Sequence, residues 1–333
     1  MSELPRNTIL VGDALEHLRT LPSASIDTVI TSPPYFQLRR YGMGEREYGQ
    51  EPNVDEWVAQ LRGVCAEIHR VLVPTGSLWL NLGDSYSRHD KYGAPAKSLL
   101  LGPERLALAL IADGWRLRNS AVWAKTNPMP SSVRDRLTCT WENVYFFTKQ
   151  STYHFDLDAI RVPHRTTRPT KPNPNAGAYL PTAWRAPLSH DNNGLAALKR
   201  QGRVGHPAGK NPGDVWNLAT ARYAGAHFAT FPTSLVDLPI RSTCPPRRCL
   251  RCRIPVLKQI GRTALRSTTH YSCRAPSEPG IVLDPFMGSG TVGVAAEQHG
   301  RDWIGIELNP QLARLANERI ADARPAQPEG RAA

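Results

Sequence analysis

Two short segments, far apart in the sequence, carry residue types that could do chemistry together. Thr31–Tyr35 (Thr-Ser-Pro-Pro-Tyr) offers a hydroxyl group, backbone carbonyls and an aromatic ring. Asp284–Thr291 (Asp-Pro-Phe-Met-Gly-Ser-Gly-Thr) offers a carboxylate and a glycine-rich turn. The first set can hold a planar group that carries an amine, and the second lets a ligand approach the backbone closely. Together they favour group transfer from a bound cofactor to an amino group on a planar ring.

The first segment suits catalysis on the exocyclic amine of cytosine or adenine. Such an amine is a poor nucleophile because its lone pair is delocalised, so acceptors must hold its N–H groups while the nitrogen rehybridises. The Ser32 hydroxyl and the Pro33 carbonyl can act as these acceptors. Pro34 restricts the backbone further, and Tyr35 offers a face on which a flipped base stacks. We call Ser32–Tyr35 the clamp; a plain proline turn that closes a strand is the alternative.

Methylation at cytosine C5 would instead need a cysteine nucleophile. Cys65 lies on the apolar side of a predicted helix, and Cys139 lies between two threonines. Neither cysteine follows a proline at the end of a predicted strand. We therefore interpret both as core or bystander residues.

The second segment contains the dinucleotide-binding pattern G-x-G-x-x-G. Gly288–Gly293 supplies the glycines, and Glu307 ends the next predicted strand, where an acid can accept ribose hydroxyl groups. An NAD-dependent oxidoreductase is therefore one alternative. Only 40 residues follow Gly293, too few for the rest of a doubly wound sheet. The remaining strands must come from upstream, so the order of strands along the chain would be permuted.

Asp284-Pro285-Phe286 argues against a phosphate-bearing ligand. Proline removes a backbone donor that a pyrophosphate would use, and Phe286 adds an apolar wall. A cofactor with an adenosyl group and a cationic sulfonium fits better, because Asp284 can meet a cation and Glu307 the ribose. An ordinary glycine-rich turn between a strand and a helix is the alternative without a ligand.

Alternating strands and helices must position both segments. Each segment follows a short apolar run, Thr28–Ile30 or Ile281–Leu283, that predicts a buried strand. Strands and helices also alternate between residues 8 and 150, and one more βαβ-like unit begins near residue 277. This alternation predicts an α/β fold with a parallel or mostly parallel sheet, in which ligands bind at the carboxyl ends of the strands.

At this point the sequence resembles the amino-methylating DNA methyltransferases, specifically those in which the clamp precedes the cofactor loop. The resemblance covers nearly the whole chain outside 163–226 and 241–275. It rests on seven motifs in family order: Gly12–Leu15, Thr31–Tyr35, Leu78–Tyr86, Val122–Pro130, Phe228–Pro232, Asp284–Thr291 and Gly305–Pro310. The resemblance implies a Rossmann-like, circularly permuted methyltransferase sheet that uses S-adenosylmethionine.

The resemblance also implies roles for single residues. The catalytic residues would be those of the clamp, Ser32, Pro33, Pro34 and Tyr35. S-adenosylmethionine would be bound by residues from both ends of the chain, namely Asp13, Ala14, Phe231, Pro232, Asp284, Pro285, Phe286, Gly288, Gly290, Thr291 and Glu307. One departure is Trp141-Glu142, where relatives often carry His-Glu.

The serine at the first clamp position bears on the target base. A serine there is similar to enzymes that act on cytosine N4, whereas an aspartate is commoner in adenine N6 enzymes. The predicted function is therefore methyl transfer from S-adenosylmethionine to cytosine N4 in DNA. Adenine N6 is the alternative target, and a nonenzymatic DNA-binding protein is a further alternative.

The resemblance and the composition together predict four segments. Residues 1–162 would form the catalytic half, 227–325 the cofactor-binding half and 326–333 a tail. Residues 163–226 lack sustained periodicity and are predicted to be an inserted target-recognition region. Its candidate DNA-binding residues are basic, namely Arg165, Arg168, Lys171, Arg185, Lys199, Arg200, Arg203 and Lys210. A solvated basic loop is the alternative.

Four further residues have the spacing of a zinc site. Cys249 and Cys252 form a C-x2-C pair, and His270 and Cys273 follow after a gap of 17 residues. Cys244 is a spare candidate. Free thiols on a basic loop, within a small insert over 241–275, are the alternative.

The overall charge agrees with a polyanionic partner. Lysine and arginine total 41 against 29 acidic residues, which gives a net charge of +12. The start of the chain lacks the pattern of a signal peptide, and no apolar stretch approaches the ~18 residues of a membrane span. We therefore expect a cytoplasmic bacterial or archaeal enzyme that acts on double-stranded DNA. A homodimer and a cognate restriction endonuclease as partner are left open.

Overall fold

A computed structural model of the chain describes residues 4–40, 42–164, 206, 208–221, 231–256, 273 and 275–324. The chain divides into two compact units, one formed by residues 1–156 and 214–333 and the other by residues 157–213. The first unit contains the clamp and the glycine-rich segment. Among the described helices, none is both long enough and apolar enough to cross a membrane.

Within the described residues, an eight-stranded sheet and six helices build the first unit. The sheet contains β1 Thr8–Val11, β2 Ile26–Thr31, β3 Leu72–Leu82, β4 Arg116–Lys125, β5 Trp141–Thr148, β6 Val215–Leu218, β9 Ile281–Asp284 and β10 Asp302–Glu307. A separate two-stranded sheet contains β7 Arg248–Cys249 and β8 Ser277–Glu278. The helices are α1 Ala14–Thr20, α2 Val54–Val71, α3 Gly102–Ala112, α4 Thr233–Thr243, α5 Thr291–Gln298 and α6 Pro310–Asp322.

The large sheet is mostly parallel and its strand order is permuted, as the sequence predicts. The order is β1-β10-β9-β2-β3-β5-β4-β6, and only β5 runs antiparallel to its neighbours among these eight strands. The late strand β9 lies directly beside the early strand β2, with Val29 opposite Leu283. Strands from the two ends of the chain are therefore neighbours at the centre of the sheet.

Two hydrophobic clusters cover the two faces of this sheet. Successive residues of a strand point to opposite faces. Val29 and Leu78 accordingly belong to the cluster that includes residues of α1, α2 and α3. Ile30 and Trp79 belong to the cluster that includes residues of α4, α5 and α6. This is the layered arrangement expected for an α/β sheet with buried strands.

Local sequence explains where the helices begin. The side chains of Asp13, Asn53 and Asn309 accept hydrogen bonds from backbone N–H groups in the first turns of α1, α2 and α6. α2 buries seven residues at helical spacing, from Val54 through Trp57 to Val71, whereas its other positions are polar or partly exposed. The first turns of these three helices are thereby capped by side chains.

Two details of the sheet differ from the sequence-based prediction. Pro74-Thr75-Gly76 is typical of a helix end and by itself predicts that the next strand begins at Ser77, but β3 already begins at Leu72. The pairing skips from Leu72 to Ser77, so these residues form a bulge inside β3. β6 falls in the segment predicted as an insert, yet it pairs in parallel with β4. Four residues are too few to reveal a strand by periodicity.

The centre of the sheet is a topological switch point. The chain leaves β2 through α2 toward β3, on one side of the β2–β9 pair. It leaves β9 through α5 toward β10, on the other side. In open α/β sheets ligands bind in the crevice at the carboxyl ends of such strands. The clamp follows β2 and the glycine-rich loop follows β9, so both border this crevice.

The described part of the second unit is small. Val162 and Lys210 exchange two backbone hydrogen bonds of 3.0 and 2.8 Å in an isolated antiparallel bridge. The Arg161 guanidinium donates to the Gly209 carbonyl, and an imidazole nitrogen of His164 lies 2.8 Å from the carbonyl oxygen of His206. These contacts hold the two ends of the unit together.

Candidate active site

A cavity of about 720 Å³ lies at the carboxyl ends of the central strands. Its volume is within the range of sites for ligands the size of a nucleoside cofactor. All four clamp residues line it, and so do the predicted cofactor residues Asp13, Ala14, Phe231, Pro285, Phe286, Gly288, Thr291 and Glu307. Pro232, Asp284 and Gly290 are the predicted residues that do not line it. The fold thus brings both ends of the chain to one cavity.

Glu307 presents a fixed carboxylate to this cavity. Its Oε1 accepts a hydrogen bond of 2.9 Å from the backbone N–H of Asn309, and its Oε2 accepts one of 2.8 Å from that of Gly288. Burial raises the pKa of the carboxyl group above its usual value, while these backbone donors oppose the rise. Each oxygen retains a further acceptor position, so the pair suits two neighbouring hydroxyl groups.

Asp284 is buried beside the cavity rather than in its wall. Its Oδ1 accepts hydrogen bonds from the Thr31 hydroxyl at 2.7 Å and from the Phe286 N–H at 3.0 Å. Its Oδ2 has no hydrogen-bond partner among the described residues. Burial raises the pKa of this carboxyl group to about 7. Asp284 therefore ties the clamp strand to the glycine loop, and its direct contact with a cationic cofactor remains a prediction.

Gly290 and Pro232 have roles in the local backbone structure. Gly290 has a left-handed conformation with φ of 79°, and a Cβ atom there would lie 3.0 Å from the Cβ of Ala316 and from Cδ1 of Ile320. Close packing between the loop and α6 therefore requires glycine at this position. Pro232 occupies the N-terminal cap of α4. Their predicted contact with a cofactor stays a prediction.

A chain of hydrogen bonds connects the clamp to Glu142. The Ser32 hydroxyl lies 3.3 Å from the Tyr35 hydroxyl, which lies 2.8 Å from Oε2 of Glu142. The same carboxylate oxygen accepts a hydrogen bond of 3.1 Å from the Asn81 amide, and its partner oxygen pairs with the Lys125 ammonium. The Tyr35 hydroxyl also lies 3.3 Å from Oδ1 of Asn81, but its shorter contact is with Glu142. A carboxylate only accepts, so Tyr35 donates to Glu142 and Ser32 donates to Tyr35. The Ser32 oxygen is thereby left as an acceptor toward the cavity.

The backbone of the clamp is held from the side of α2. The Trp57 indole N–H donates to the Pro34 carbonyl at 3.0 Å. No described residue donates to the Pro33 carbonyl. A Cβ atom on Gly83 would lie 2.8 Å from Cε2 of Tyr35, so the ring packs directly against this glycine. The clamp therefore offers two acceptors, the Ser32 hydroxyl and the Pro33 carbonyl, beside a fixed ring.

Several cavity residues have no role in the sequence analysis, and four of them contact the clamp, Glu142 or Phe286. Asn81 and Lys125 lie within motifs that carry the family resemblance, and Glu142 is part of the one departure from it. Their polar side chains within or beside these motifs are the signal in the sequence that could have identified them as site residues. Tyr48 packs edge-to-face on Phe286 with 5.3 Å between ring centroids. It belongs to a loop without periodicity, so nothing in the sequence marked it.

Neither candidate nucleophile for C5 chemistry reaches the cavity. Cys65 is 3% exposed in the hydrophobic core, and burial raises the pKa of its thiol to about 12. Cys139 is exposed and is not among the lining residues. Both positions agree with the interpretation of these cysteines as core or bystander residues.

Most of the predicted DNA-binding residues lie outside the described residues. Lys210 is exposed in the second unit, where its backbone pairs with Val162. The other seven candidates, which the structure does not describe, are Arg165, Arg168, Lys171, Arg185, Lys199, Arg200 and Arg203. The target-recognition role of this region therefore stays a prediction.

Three of the four predicted zinc ligands lie together. The Sγ atoms of Cys249, Cys252 and Cys273 are all within 4.8 Å of one another. His270 lies outside the described residues. Cys244, the spare candidate, is instead fully buried in a hydrophobic cluster, and burial raises the pKa of its thiol well above the usual value.

One class of protein combines a permuted sheet, a cavity at the switch point and this clamp. Comparison with known proteins identifies that class. The family model N6/N4 DNA methylase matches residues 26–318. This match spans most of the chain, and the chain belongs to this family of DNA methyltransferases. Family membership favours the methyltransferase interpretation of the glycine loop over the oxidoreductase alternative.

Individual relatives are similar over almost their whole length. The chain is 35% identical to the Type II methyltransferase M.XycI of Xanthomonas campestris pv. cyanopsidis, over 94% of this chain and 87% of that protein. It is 34% identical to the Type II methyltransferase M.Cfr9I of Citrobacter freundii, over 96% and 89%. It is 33% identical to M.SmaI of Serratia marcescens, over 97% and 94%.

Solved structures share the fold. The cytosine-N4-specific PvuII DNA methyltransferase matches with a TM-score of 0.58 and 20% identity, over 96% of this chain and 92% of that one. A protein from Thermus thermophilus, described as a DNA modification methylase and complexed with S-adenosyl-L-methionine, matches with a TM-score of 0.52. Its identity is 22%, over 95% of each chain. At these identities the likeness establishes the α/β fold alone.

Proposed function

We propose that this protein transfers a methyl group from S-adenosylmethionine to the exocyclic N4 of cytosine in double-stranded DNA. The observation that carries the proposal is the acceptor pair of the clamp, the Ser32 hydroxyl and the Pro33 carbonyl. Both atoms belong to residues that line one cavity with the glycine loop. Membership of the DNA methylase family limits the reaction to methyl transfer onto DNA.

The cofactor side of the cavity supports an adenosyl ligand without phosphate. Glu307 offers two carboxylate oxygens to a ribose, and Phe286 with Tyr48 offers an aromatic wall. Asp13 lines the same cavity while its Oδ1 caps α1 at 2.9 Å. When bound, S-adenosylmethionine supplies a methyl group on a sulfonium that leaves as a neutral thioether. Acidic residues on this side favour such a cation over an anionic pyrophosphate.

The clamp side supports an amine as the acceptor of the methyl group. The single proton of the Ser32 hydroxyl is committed to Tyr35, whose own proton is committed to Glu142. Ser32 therefore accepts one N–H of the amine, and the Pro33 carbonyl accepts the other. Holding both N–H groups turns the nitrogen lone pair out of the ring plane and toward the donor. Tyr35 stacks on the base, which must leave the helix to enter.

Ser32 also supports cytosine as the base. A carboxylate at this position would carry a full charge, whereas the hydroxyl is a neutral acceptor, and the family resemblance associates serine there with action on cytosine N4. Adenine N6 is the second candidate, because the same two acceptors could hold its amine. The two bases differ in size and in the edge beside the amine, so the methylated product distinguishes them.

Binding and transfer assays test the proposal. Calorimetry should detect binding of S-adenosylmethionine and S-adenosylhomocysteine to the purified protein, and no binding of NAD at the same concentration. Labelled methyl groups should then pass to unmethylated double-stranded plasmid DNA. Binding of NAD in place of S-adenosylmethionine would contradict the assigned cofactor, and binding without transfer to any DNA would contradict the assigned reaction.

We also infer that the enzyme modifies DNA in a restriction-modification system, since several relatives are named Type II methyltransferases. The region 163–226 would then select the sequence through its basic residues. Plasmid DNA from cells that express the protein should resist at least one endonuclease whose site contains cytosine. Cleavage by every such enzyme in a broad panel would contradict this inference.

A further inference from the structure

A cluster of cysteines lies at the end of the sheet opposite to the cavity. The Sγ atoms of Cys249, Cys252 and Cys273 are within 4.8 Å of one another. Cys249 belongs to β7, Cys252 follows β7 in a turn and Cys273 precedes β8. Arg248 in β7 contacts Asp27 near the amino end of β2. The clamp follows the carboxyl end of that same strand. The cluster is therefore separate from the site already described.

The backbone around the cluster forms a tight turn that presents sulfur atoms to one point. The N–H of Cys249 donates to the Ile254 carbonyl at 2.9 Å, and the N–H of Arg253 donates to the Cys249 carbonyl at 2.9 Å. Arg253 has a left-handed conformation with φ of 59°. The turn thereby places Cys252 beside Cys249, with their sulfur atoms no more than 4.8 Å apart.

The third cysteine comes from the neighbouring strand segment. Cys249 lies opposite Ser277, and the N–H of Leu250 donates to the Pro276 carbonyl at 2.9 Å. Cys273 lies four positions before β8 and 21 positions beyond Cys252 in the sequence. The pairing of β7 with β8 thus accompanies the meeting of a C-x2-C turn with a distant third cysteine.

We propose that Cys249, Cys252 and Cys273 form a structural zinc site. Sulfur atoms around a tetrahedral zinc lie about 3.8 Å apart, because each Zn–S bond is about 2.3 Å. Separations of no more than 4.8 Å are compatible with that value. Thiolate ligands favour zinc over the hard cations magnesium and calcium. A fourth ligand completes the tetrahedron, and His270, which the sequence spacing suggests, lies outside the described residues.

The site stabilises the contact between the small sheet and the large one. Arg248 is 1% exposed and donates to Asp27 at 2.8 Å, to the Ser25 carbonyl at 2.7 Å and to Glu278 at 2.9 Å. Asp27 in turn accepts a hydrogen bond of 2.8 Å from the N–H of Ile281 in β9. A metal that holds Cys249 therefore fixes the neighbouring Arg248, which joins the amino ends of the two central strands.

Metal content tests the site without reference to methyl transfer. The full-length protein, purified without chelators, should hold about one zinc per chain by inductively coupled plasma mass spectrometry. Cys252→Ser and Cys273→Ser should each lose most of it, whereas the control Cys139→Ser should keep it, because Cys139 is an exposed cysteine elsewhere. Removing the zinc with a chelator should lower Tm by about 5 °C or more.

Cobalt titration keeps the proposal testable if a variant fails to fold. Wild-type protein stripped of metal should develop thiolate-to-cobalt absorption that saturates near about one equivalent of cobalt. Absence of both zinc and cobalt binding in folded wild-type protein would overturn the proposal. Retention of zinc by the Cys252→Ser/Cys273→Ser double variant would also overturn it, as would a disulfide between two of these cysteines in protein kept under reducing conditions. None of these results bears on binding of S-adenosylmethionine.

Discussion

The hydroxyl group of Thr31 donates a hydrogen bond of 2.7 Å to the carboxylate of Asp284. Thr31 is the last residue of β2 and Asp284 is the last residue of β9. The two side chains are 2% and 1% exposed, although 253 positions separate them in the sequence. One buried contact thus joins the strand that leads to the clamp with the strand that leads to the glycine loop.

Replacing Thr31 by valine tests this contact. Thr31→Val removes the donor at nearly constant volume and leaves the buried Asp284 Oδ1 with the Phe286 N–H alone. We expect the free energy of unfolding to fall by about 1–3 kcal/mol in urea titrations. Thr28→Val is the matched control, because Thr28 is also buried in β2 but its hydroxyl lies 3.3 Å from that of Thr243. Equal losses in the two variants would argue against a special role for Thr31.

The pH dependence of stability reports on Asp284. Burial raises the pKa of its carboxyl group to about 7, above the usual value near 3.8. The folded state therefore binds this proton more tightly, so its favourable contribution is complete below about pH 4 and is lost as the pH rises through about 7. Asp284→Asn removes this titration. The free energy of unfolding of the wild type minus that of the variant should fall by about 1–4 kcal/mol between pH 4 and 8.

A second buried carboxyl makes the comparison with the variant necessary. Burial also raises the pKa of Asp27 to about 6, while the Arg248 guanidinium opposes the rise. Both groups lower the stability of the wild type over the same pH range. The difference in free energy of unfolding between the wild type and Asp284→Asn isolates the contribution of Asp284. Parallel pH profiles for the two proteins would contradict the raised pKa of Asp284.

Glu142→Gln tests the direction in which the hydrogen bonds between Ser32, Tyr35 and Glu142 are donated. A carboxylate only accepts, whereas a glutamine amide can also donate to Tyr35 and so turn the Ser32 proton toward the amine. We expect kcat to fall about 10- to 100-fold, with little change in KM for S-adenosylmethionine. Glu104→Gln is the control, because Glu104 accepts from Asn143 and Tyr145 but does not line the cavity. A loss of cofactor binding in Glu142→Gln would place the residue in a different role.

Gly290→Ala tests the packing of the glycine loop on α6. The new Cβ atom would lie 3.0 Å from both Ala316 and Ile320, at a position with φ of 79°. Gly300→Ala is a matched control, since its φ of 60° is also left-handed and nothing lies within 4 Å of the added atom. We expect Gly290→Ala to destabilise the protein by about 1–3 kcal/mol more than Gly300→Ala in thermal unfolding. Equal Tm values would contradict the tight packing.

Much of the central fold follows from local sequence. Apolar runs before the clamp and the glycine loop predict β2 and β9, and the shortage of chain after Gly293 predicts a permuted sheet. Helical spacing within residues 54–72 predicts α2, which the structure has at Val54–Val71. These features depend on burial and chain length, which the sequence carries directly.

Other features depend on contacts between distant residues. Glu142 reaches Tyr35 only because β5 pairs with β3 in one register. The hydrogen bond from Thr31 makes Asp284 a buried link between β2 and β9. The position of Asp284 in the sequence, at the end of a predicted strand, could not reveal this contact. β6 is four residues long and is defined by its partner β4 rather than by its own pattern. Such features follow from tertiary pairing, not from local preference.

The identity of the methylated base tests the central claim most directly. The purified protein should be incubated with S-adenosylmethionine and unmethylated double-stranded DNA that offers many sequence contexts. The DNA is then digested to nucleosides for mass spectrometry, with Ser32→Ala as the control that should give little product. We predict N4-methylcytosine. N6-methyladenine in its place would contradict the assignment of the base, and 5-methylcytosine would contradict transfer to an amine held by Ser32 and Pro33.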